Sequence, residues 1–102
     1  MTAWEGLGMG SPPVVGDIRF AAANPALRGK GLLGWVLCSY GGLQLDGLRV
    51  RRHDDGSHSI GFPTRTDANG VEHSVVRPLD QPTRDAIERR VLGELRRRGL
   101  LP

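Results

Sequence analysis

Apolar residues between positions 32 and 78 occur in short runs separated by dipeptides that favour tight turns. The dipeptides are Gly41-Gly42, Asp55-Gly56 and Asn69-Gly70. Each accepts the positive φ angles of hairpin turns, and flanking runs rich in Val, Ile, Leu and aromatic residues are typical of antiparallel strands. The pattern therefore predicts a four-stranded meander between Leu32 and Pro78.

A further strand is predicted before the meander, from Val14 to Phe20, with Ile18 and Phe20 on the same face as Val14. Residues 21–31 contain an Asn-Pro dipeptide and two glycines, so we expect a loop there. The whole sheet should then have about five strands.

The second strand of this sheet, Leu32 to Tyr40, is apolar on both faces. A strand of this kind is usually covered on both faces. A helix can supply one cover, and the second cover should be the N-terminal segment or another subunit. Strict alternation places Leu33, Trp35 and Leu37 on one face.

The alternation of the third strand changes phase in the middle. Leu43 and Leu45 occupy odd positions, whereas Leu48 and Val50 occupy even positions, and Gly47 lies between the two pairs. A β-bulge at a glycine produces such a one-residue slip and returns the apolar side chains to one face. We therefore predict a bulge at Gly47.

After Pro78 the apolar residues follow the period of an amphipathic helix from Thr83 to Arg98. Asp80 or Gln81 can cap its N-terminus. The apolar stripe consists of Ile87, Val91 and Leu95, widened by Ala86 and Leu92. The predicted fold class is α+β, an antiparallel β-meander sheet of about five strands with one C-terminal amphipathic helix packed on it.

Length and composition fit one small domain. With 102 residues, 38% of them hydrophobic and 25% charged, the chain is expected to form a single globular domain over residues 14–102, preceded by a flexible leader at residues 1–13 that contains Trp4. The single cysteine, Cys38, lies in an apolar run and is interpreted as a core residue rather than a reactive thiol. No run reaches the length of a membrane span and no secretory signal is evident, so we expect a cytoplasmic protein without membrane contact.

The sequence lacks the motifs of common enzymes. It contains no phosphate-binding loop with lysine, no His-Glu-x-x-His and no nucleophile elbow. His53 and His58, with Asp54 and Asp55 between them, could be drawn as a metal site, but the Asp55-Gly56 turn already explains this composition. We expect no catalytic residues, no metal and no cofactor.

Arginine is the main signal for function. The net charge is +3, and thirteen arginines stand against one lysine. Arginine binds phosphate in a planar, bidentate way, so a polyanionic partner is possible. The simpler alternatives are cross-strand charge pairing for Arg49, Arg51 and Arg52 and complementation of the helix dipole for residues 96–98.

Between Asp17 and Leu95 the chain resembles the SpoVG family of bacteria, the stage V sporulation protein G or septation regulators. The resemblance is strongest from Gly47 to Leu92. Its motifs are Leu48-Arg49-Val50, Gly61-Phe62-Pro63-Thr64-Arg65-Thr66, Asn69-Gly70, Val75-Val76-Arg77-Pro78-Leu79 and Thr83-Arg84 leading to Ile87.

The resemblance implies a small α+β fold, dimers formed through strands, and a regulator of cell division or sporulation that binds DNA and, in some members, RNA. It points to the region around Arg65 and to residues 73–84 as the nucleic-acid surface. The chain departs from the family pattern at Thr64, where the family has lysine, and at His73-Ser74, where the family has Arg-Asp.

These observations give two hypotheses. The first is a cytoplasmic, dimeric, nucleic-acid-binding regulator of the SpoVG type. Its homodimer contact is expected at Leu33, Trp35 and Leu37 of the strand from Leu32 to Tyr40 and at the strand edges. The second is a protein-interaction module that never contacts nucleic acid, which the modest charge and the lost basic positions favour. Arginines that are paired with acidic residues would support the second. The predicted nucleic-acid-binding residues are Arg65, Thr64, Thr66, His73, Arg77, Arg84, Arg49, Arg51 and Arg52.

Overall fold

A computed structural model describes residues 14–102, so the predictions for the leader and for Trp4 lie outside the described residues. The fold is α+β, with strands first and the long helix last. The elements are β1 (Val15–Ala22), α1 (Pro25–Gly29), β2 (Leu32–Tyr40), β3 (Leu43–Arg52), β4 (His58–Gly61), β5 (Thr64–Thr66), β6 (Glu72–Ser74) and α2 (Gln81–Arg97).

The strands form two sheets instead of the single predicted meander. Strands β1, β2, β3 and β4 form an antiparallel sheet in that order, and β5 pairs only with β6 in a separate hairpin. Strand β4 ends at Gly61, two residues before Pro63. Proline has no N–H to donate to a ladder, which explains why the chain leaves the sheet here and the last two strands pair with each other.

The predicted loop at residues 21–31 contains a short helix, α1, and strand β1 extends further than predicted, to Ala22. The side chain of Asn24 accepts a hydrogen bond from the Leu27 amide at 2.9 Å, and Pro25 occupies the first turn. Asparagine at the cap followed by proline is a favourable helix start. The Asn-Pro dipeptide therefore starts a helical turn in this chain.

Three register shifts interrupt the four-stranded sheet. The predicted bulge is confirmed, because the pairing of β2 with β3 shifts between Val36 and Cys38 and Gly47 has a φ angle of 77°. A second shift lies between Leu32 and Gly34, and a third in β1 between Gly16 and Arg19. The sequence analysis did not predict the second and third shifts.

The shift at residues 32–34 corrects the predicted dimer contact. Leu33 is only 2% exposed and belongs to the hydrophobic core, whereas Trp35 is 36% exposed. An extra residue in one strand reverses the side-chain alternation, so Leu33 and Trp35 do not share an accessible surface. Leu33 therefore stabilises the fold and is removed from the candidate interface.

Helix α2 covers one face of the sheet with its apolar stripe. Asp80 caps it, as predicted, by accepting a hydrogen bond from the Thr83 amide at 2.7 Å. The predicted widening of the stripe by Ala86 is wrong, since Ala86 is exposed. The buried residues of the helix are Ile87, Val91, Leu92 and Leu95.

The core lies between this helix and one face of the four-stranded sheet. Val36, Leu48, Val50 and Ile60 contribute to it from the sheet. Cys38 is buried in the same core, as predicted, and burial raises the pKa of its thiol. Among residues 14–102, neither helix is long and apolar enough to cross a membrane.

The contact between β1 and β2 leaves no room for a side chain at Gly34. A Cβ atom there would lie 2.3 Å from the Ala21 carbonyl oxygen and 2.7 Å from the ring of Phe20. We expect Gly34→Ala to lower the free energy of unfolding by roughly 3 kcal/mol, because the backbone of β1 must move away. Urea denaturation monitored by circular dichroism measures this change.

Gly93→Ala is the matched control, since nothing lies within 4 Å of a Cβ at this exposed helical position. It should raise the free energy of unfolding by about 1 kcal/mol through helix propensity alone. Equal stability of Gly34→Ala and the wild type would show that β1 and β2 do not approach each other this closely.

Candidate functional site

The hairpin formed by β5 and β6 brings together Arg65 and His73, two residues of the predicted site. They are direct cross-strand partners, and such partners share one face of the hairpin. Thr64 and Thr66 lie on the other face, opposite Ser74 and Glu72. Arg65 lies in a short strand, because residues 64–66 gain hydrogen-bonded partners in β6.

Asp67 builds the turn of this hairpin. Its Oδ1 atom accepts hydrogen bonds from the amides of Asn69 at 2.8 Å and Val71 at 3.0 Å. Its Oδ2 atom lies 2.7 Å from Nε2 of His73. The hydrogen bond from His73, followed by those from the two amides, lowers the pKa of Asp67. One carboxylate therefore shapes the turn and fixes the His73 ring next to Arg65.

Arg65 itself remains exposed. Within residues 14–102 it forms no ion pair, and the nearby Asp67 carboxylate is already engaged with His73. A guanidinium group in this situation keeps all five of its N–H donors for a ligand. The hydroxyls of Thr64 and Thr66 add further donors at the same hairpin.

Arg49 and Arg84 both contact the chain around β4, which is the edge strand of the larger sheet. Nη2 of Arg49 donates to the Phe62 carbonyl oxygen at 3.2 Å, and Nη1 of Arg84 donates to the Ile60 carbonyl oxygen at 3.4 Å. Arg84 also lies over the ring of Phe62, 5.1 Å from its centroid. These contacts give both arginines a structural role that the sequence did not reveal.

The absence of a side chain at Gly61 allows Arg49 to cross the edge strand. A Cβ atom at position 61 would lie 3.1 Å from Nε and 3.2 Å from Nη2 of Arg49. The Nε atom is buried and has no hydrogen-bond partner among the described residues. Arg49 is thus half-buried against the protein and offers little of its charge to solvent.

Arg51 and Arg52 lie on opposite faces at the end of β3, as predicted. Arg51 pairs with Ser59 and follows Arg49 on one face, while Arg52 pairs with His58 on the face that α2 covers. Both side chains are exposed. The nine predicted residues are therefore distributed over the β5–β6 hairpin, the edge of β4, the end of β3 and the segment before α2.

Ion pairing of arginine in residues 14–102 is concentrated at Glu94. Arg90, Arg97 and Arg98 all contact its carboxylate. Hydrogen bonds from Arg97 and Arg98, with a smaller contribution from Arg90, lower the pKa of Glu94 to about 2. This cluster stabilises the last turns of α2 and leaves the cations of the strands without acidic partners in the described part of the chain.

The face of the sheet that α2 does not cover, which we call the open face, carries Trp35 and Leu37. It also carries Arg49, directly opposite Trp35, and Arg19, directly opposite Leu37. The sequence analysis assigned Trp35 and Leu37 to a dimer contact and Arg49 and Arg51 to nucleic acid. The structure places these residues on one face, so the two uses compete.

An apolar groove near the N-terminus of α2 was missed by the sequence analysis. It has a volume of about 640 Å³, and Arg77 lies at its rim. Leu79 is 87% exposed and Leu43 is 67% exposed beside it. The available signal was the apolar run from Val75 to Leu79, which has no partner strand long enough to bury it. The apolar lining includes Tyr40, Leu45, Phe62, Val76, Pro78 and Ile87.

The contact between Asp67 and His73 leads to a prediction about titration. We expect the carboxyl group of Asp67 to titrate below the ordinary value of 3.8, because His73 and two amides stabilise the carboxylate. In His73→Leu the midpoint should move up toward 3.8. Carboxyl ¹³C shifts of Asp measured by NMR against pH give both midpoints.

Asp55 is the internal control, because Ser57 and not His73 lowers its pKa. Its midpoint should not change in His73→Leu. Since the folded-state pKa of Asp67 is lowered, its contribution to stability is present above the unfolded value and disappears as the pH falls through the folded value. An unchanged Asp67 midpoint in the variant would contradict this account of the hairpin.

Comparisons of the chain with protein-family models, with curated proteins and with solved structures found no match in any of the three. The resemblance to the SpoVG family therefore stays a prediction, and any function must be argued from the residues and geometry of this chain.

Proposed function

We propose that the protein is a small cytoplasmic regulator of the SpoVG type that binds DNA or RNA as a homodimer and acts in gene regulation or septation. The observation that carries this proposal is the exposed Arg65 on a hairpin in which the carboxylate of the turn residue Asp67 is occupied by His73. The guanidinium group is held on a short, ordered strand and its charge is not neutralised by an acidic residue in the described part of the chain.

The distribution of ion pairs supports nucleic acid over a purely protein-binding role. A docking module was expected to pair its arginines with Asp46, Asp54, Glu72, Asp85, Glu88 and Glu94. Within residues 14–102, Glu94 is the carboxylate that pairs with arginine, and Arg51, Arg65 and Arg77 keep their charge exposed. Exposed cations without acidic neighbours produce the positive potential that attracts a polyanion.

The contact would be made mainly with phosphates. Arginine can bind a phosphate through two parallel hydrogen bonds, and the threonine hydroxyls beside Arg65 can donate to neighbouring phosphate oxygens. Trp35 is the exposed aromatic residue of the described chain, and it lies on the open face instead of at the hairpin. Base stacking therefore contributes little, and the affinity depends on the release of counterions.

The open face supports the homodimer in this proposal. Trp35 and Leu37 supply the apolar surface, and Leu33 no longer takes part because it is buried in the core. Arg49 then stays with its structural contact to Phe62, and the phosphate contacts fall to Arg65 and Arg77 together with the residues at the end of β3. This division removes the competition at Arg49, whereas Arg51 remains on the open face beside the proposed dimer contact.

Substitution of Arg65 tests the proposed site. We expect Arg65→Ala to weaken binding to duplex DNA about tenfold at low salt and to reduce the slope of log K against log salt by about 0.9, because one phosphate contact is lost. Fluorescence anisotropy of labelled duplex DNA and single-stranded RNA, titrated with protein at several salt concentrations, measures both quantities.

Arg89→Ala is the matched control, because Arg89 is an exposed arginine of α2 that forms no ion pair with the described residues. Its loss should change the affinity much less than the loss of Arg65. If the two variants weaken binding equally, the contact is diffuse and the hairpin is not the site. If the folded wild-type protein binds neither nucleic acid at low salt, the proposed function is wrong.

The apolar groove favours a second function, the docking of a partner protein. Leu43 and Leu79 are large apolar residues exposed at its edge. The lining also carries one positive charge at Arg77 and one negative charge at Asp80, whose carboxylate is engaged in capping α2. The occupant that fits is an apolar segment of a partner protein with an acidic residue facing Arg77. Exposed apolar surface with a charged rim is typical of protein interaction sites.

A synthetic amphipathic peptide with acidic flanks tests this second function. If the groove docks such segments, the peptide should shift the amide resonances of Val76 and Leu79 in the wild type, and Leu79→Ser should weaken binding roughly tenfold. The DNA affinity of Leu79→Ser should equal that of the wild type. Peptide shifts spread over the whole chain, or unchanged binding by Leu79→Ser, would remove the groove as a docking site.

A further inference from the structure

A second group of cations lies at the other end of β4 from the β5–β6 hairpin. We call it the basic corner and define it as Lys30, Arg52, His58 and Arg96. His58 begins β4, whereas the hairpin follows Gly61 at the end of this strand. The two groups are therefore separated by the length of β4, roughly 13 Å at 3.3 Å per residue.

The close approach of two backbone segments forms the corner. The Arg52 amide donates to the Gly31 carbonyl oxygen at 2.8 Å, which joins the turn after α1 to the end of β3. Gly31 has a φ angle of 96°, and a Cβ atom there would lie 2.7 Å from the Arg52 carbonyl oxygen. Position 31 thus requires glycine, and the contact places Lys30 beside Arg52.

These segments enclose a polar cleft of about 500 Å³, lined by Lys30, Arg52, His53, Asp54 and three glycines. The glycines leave its walls without side chains. Lys30 and Arg52 form no ion pair with any described residue. Asp54 is the acidic residue of the lining, and the adjacent Asp55 is occupied by the amide and hydroxyl of Ser57.

His58 is the unusual member of this group. It is the direct cross-strand partner of Arg52, and its Nε2 atom is buried without a hydrogen-bond partner among residues 14–102. Burial, followed by the nearby charges of Arg96, Arg52 and His53, lowers the pKa of His58. Arg52 of β3 and Arg96 of α2 thus concentrate positive charge around the neutral ring of His58 in β4.

We propose that the basic corner binds a phosphate group in the cleft between Lys30 and Arg52. The bound anion offsets the repulsion that the cations exert on the protonated form of His58, although burial of the ring continues to oppose its protonation. Phosphate is the anion that fits, because guanidinium and ammonium groups donate to several of its oxygens at once. The phosphate belongs either to a nucleic-acid backbone or to a free phosphorylated molecule, and the site is independent of the hairpin.

An NMR titration of the full-length protein with inorganic phosphate tests this proposal, with sodium chloride at matched ionic strength as the reference. Phosphate should shift the amide resonances of Gly31, Arg52 and Gly56 and should raise the titration midpoint of the His58 ring. The second effect is required by linkage, since an anion that binds more tightly to the protonated form must favour that form.

Variants on each side of the corner separate a specific site from general attraction. Lys30→Gln and Arg52→Gln should each weaken phosphate binding roughly tenfold, and Arg89→Gln should leave it unchanged. Asp54→Asn should strengthen it, because it removes the one negative charge of the lining. Wild-type affinity in both Lys30→Gln and Arg52→Gln, or a His58 midpoint that is raised neither by phosphate nor by a DNA duplex, would overturn the proposal.

A short DNA duplex added in place of phosphate identifies the source of the ligand. Shifts at the basic corner with the duplex and not with phosphate would support the site as part of a nucleic-acid surface. Shifts with phosphate in a protein that binds neither duplex DNA nor single-stranded RNA would support the site and reject the proposed function. If neither phosphate nor the duplex shifts the resonances of the basic corner, the site is contradicted.

Discussion

The structure depends on the packing of one apolar helix stripe against one face of a four-stranded sheet. Leu95 and Val91 of α2, and Leu48 and Val50 of β3, are completely buried there. A sheet of this size places enough apolar side chains on that face only when the alternation of side chains in each strand matches the face. In this chain, bulges correct that alternation. Without the shift at Gly47, either Leu45 or Leu48 would point away from the helix. The register shifts are therefore a condition for the core, and the positions of all other side chains follow from them.

The sequence predicted the elements that depend on local signals. The hairpin dipeptides, the helix stripe and the Asp80 cap were all visible in residue order, because turns and caps require particular residue types. The bulge at Gly47 was visible for the same reason, since a glycine marked the change of phase. The shift at Leu33 was not, because Leu32, Leu33 and Val36 are all apolar and give no sign of which residue is extra. The pairing of β5 with β6 was equally hidden, since it reflects competition between strands for one edge.

The candidate site shows the same limit, because charge alone does not tell how an arginine is used. The arginines of this chain divide into three groups. Arg90, Arg97 and Arg98 surround Glu94 at the end of α2. Arg49 and Arg84 stabilise the edge strand through its carbonyl groups. In a third group, which includes Arg65, the side chains are exposed to solvent. The proposed binding function depends on this group. The cross-strand contacts that separate the groups arise only in the folded chain.

The most direct measurement of the central claim is footprinting of the arginines with phenylglyoxal, read by mass spectrometry in the presence and absence of duplex DNA. The guanidinium groups that contact phosphate become protected when DNA is bound, whereas exposed groups elsewhere react as before. The account predicts protection of Arg65 and Arg77 and undiminished reaction of Arg89. Equal reactivity of all three arginines with and without DNA, at a salt concentration low enough for binding, would contradict a phosphate contact at the hairpin.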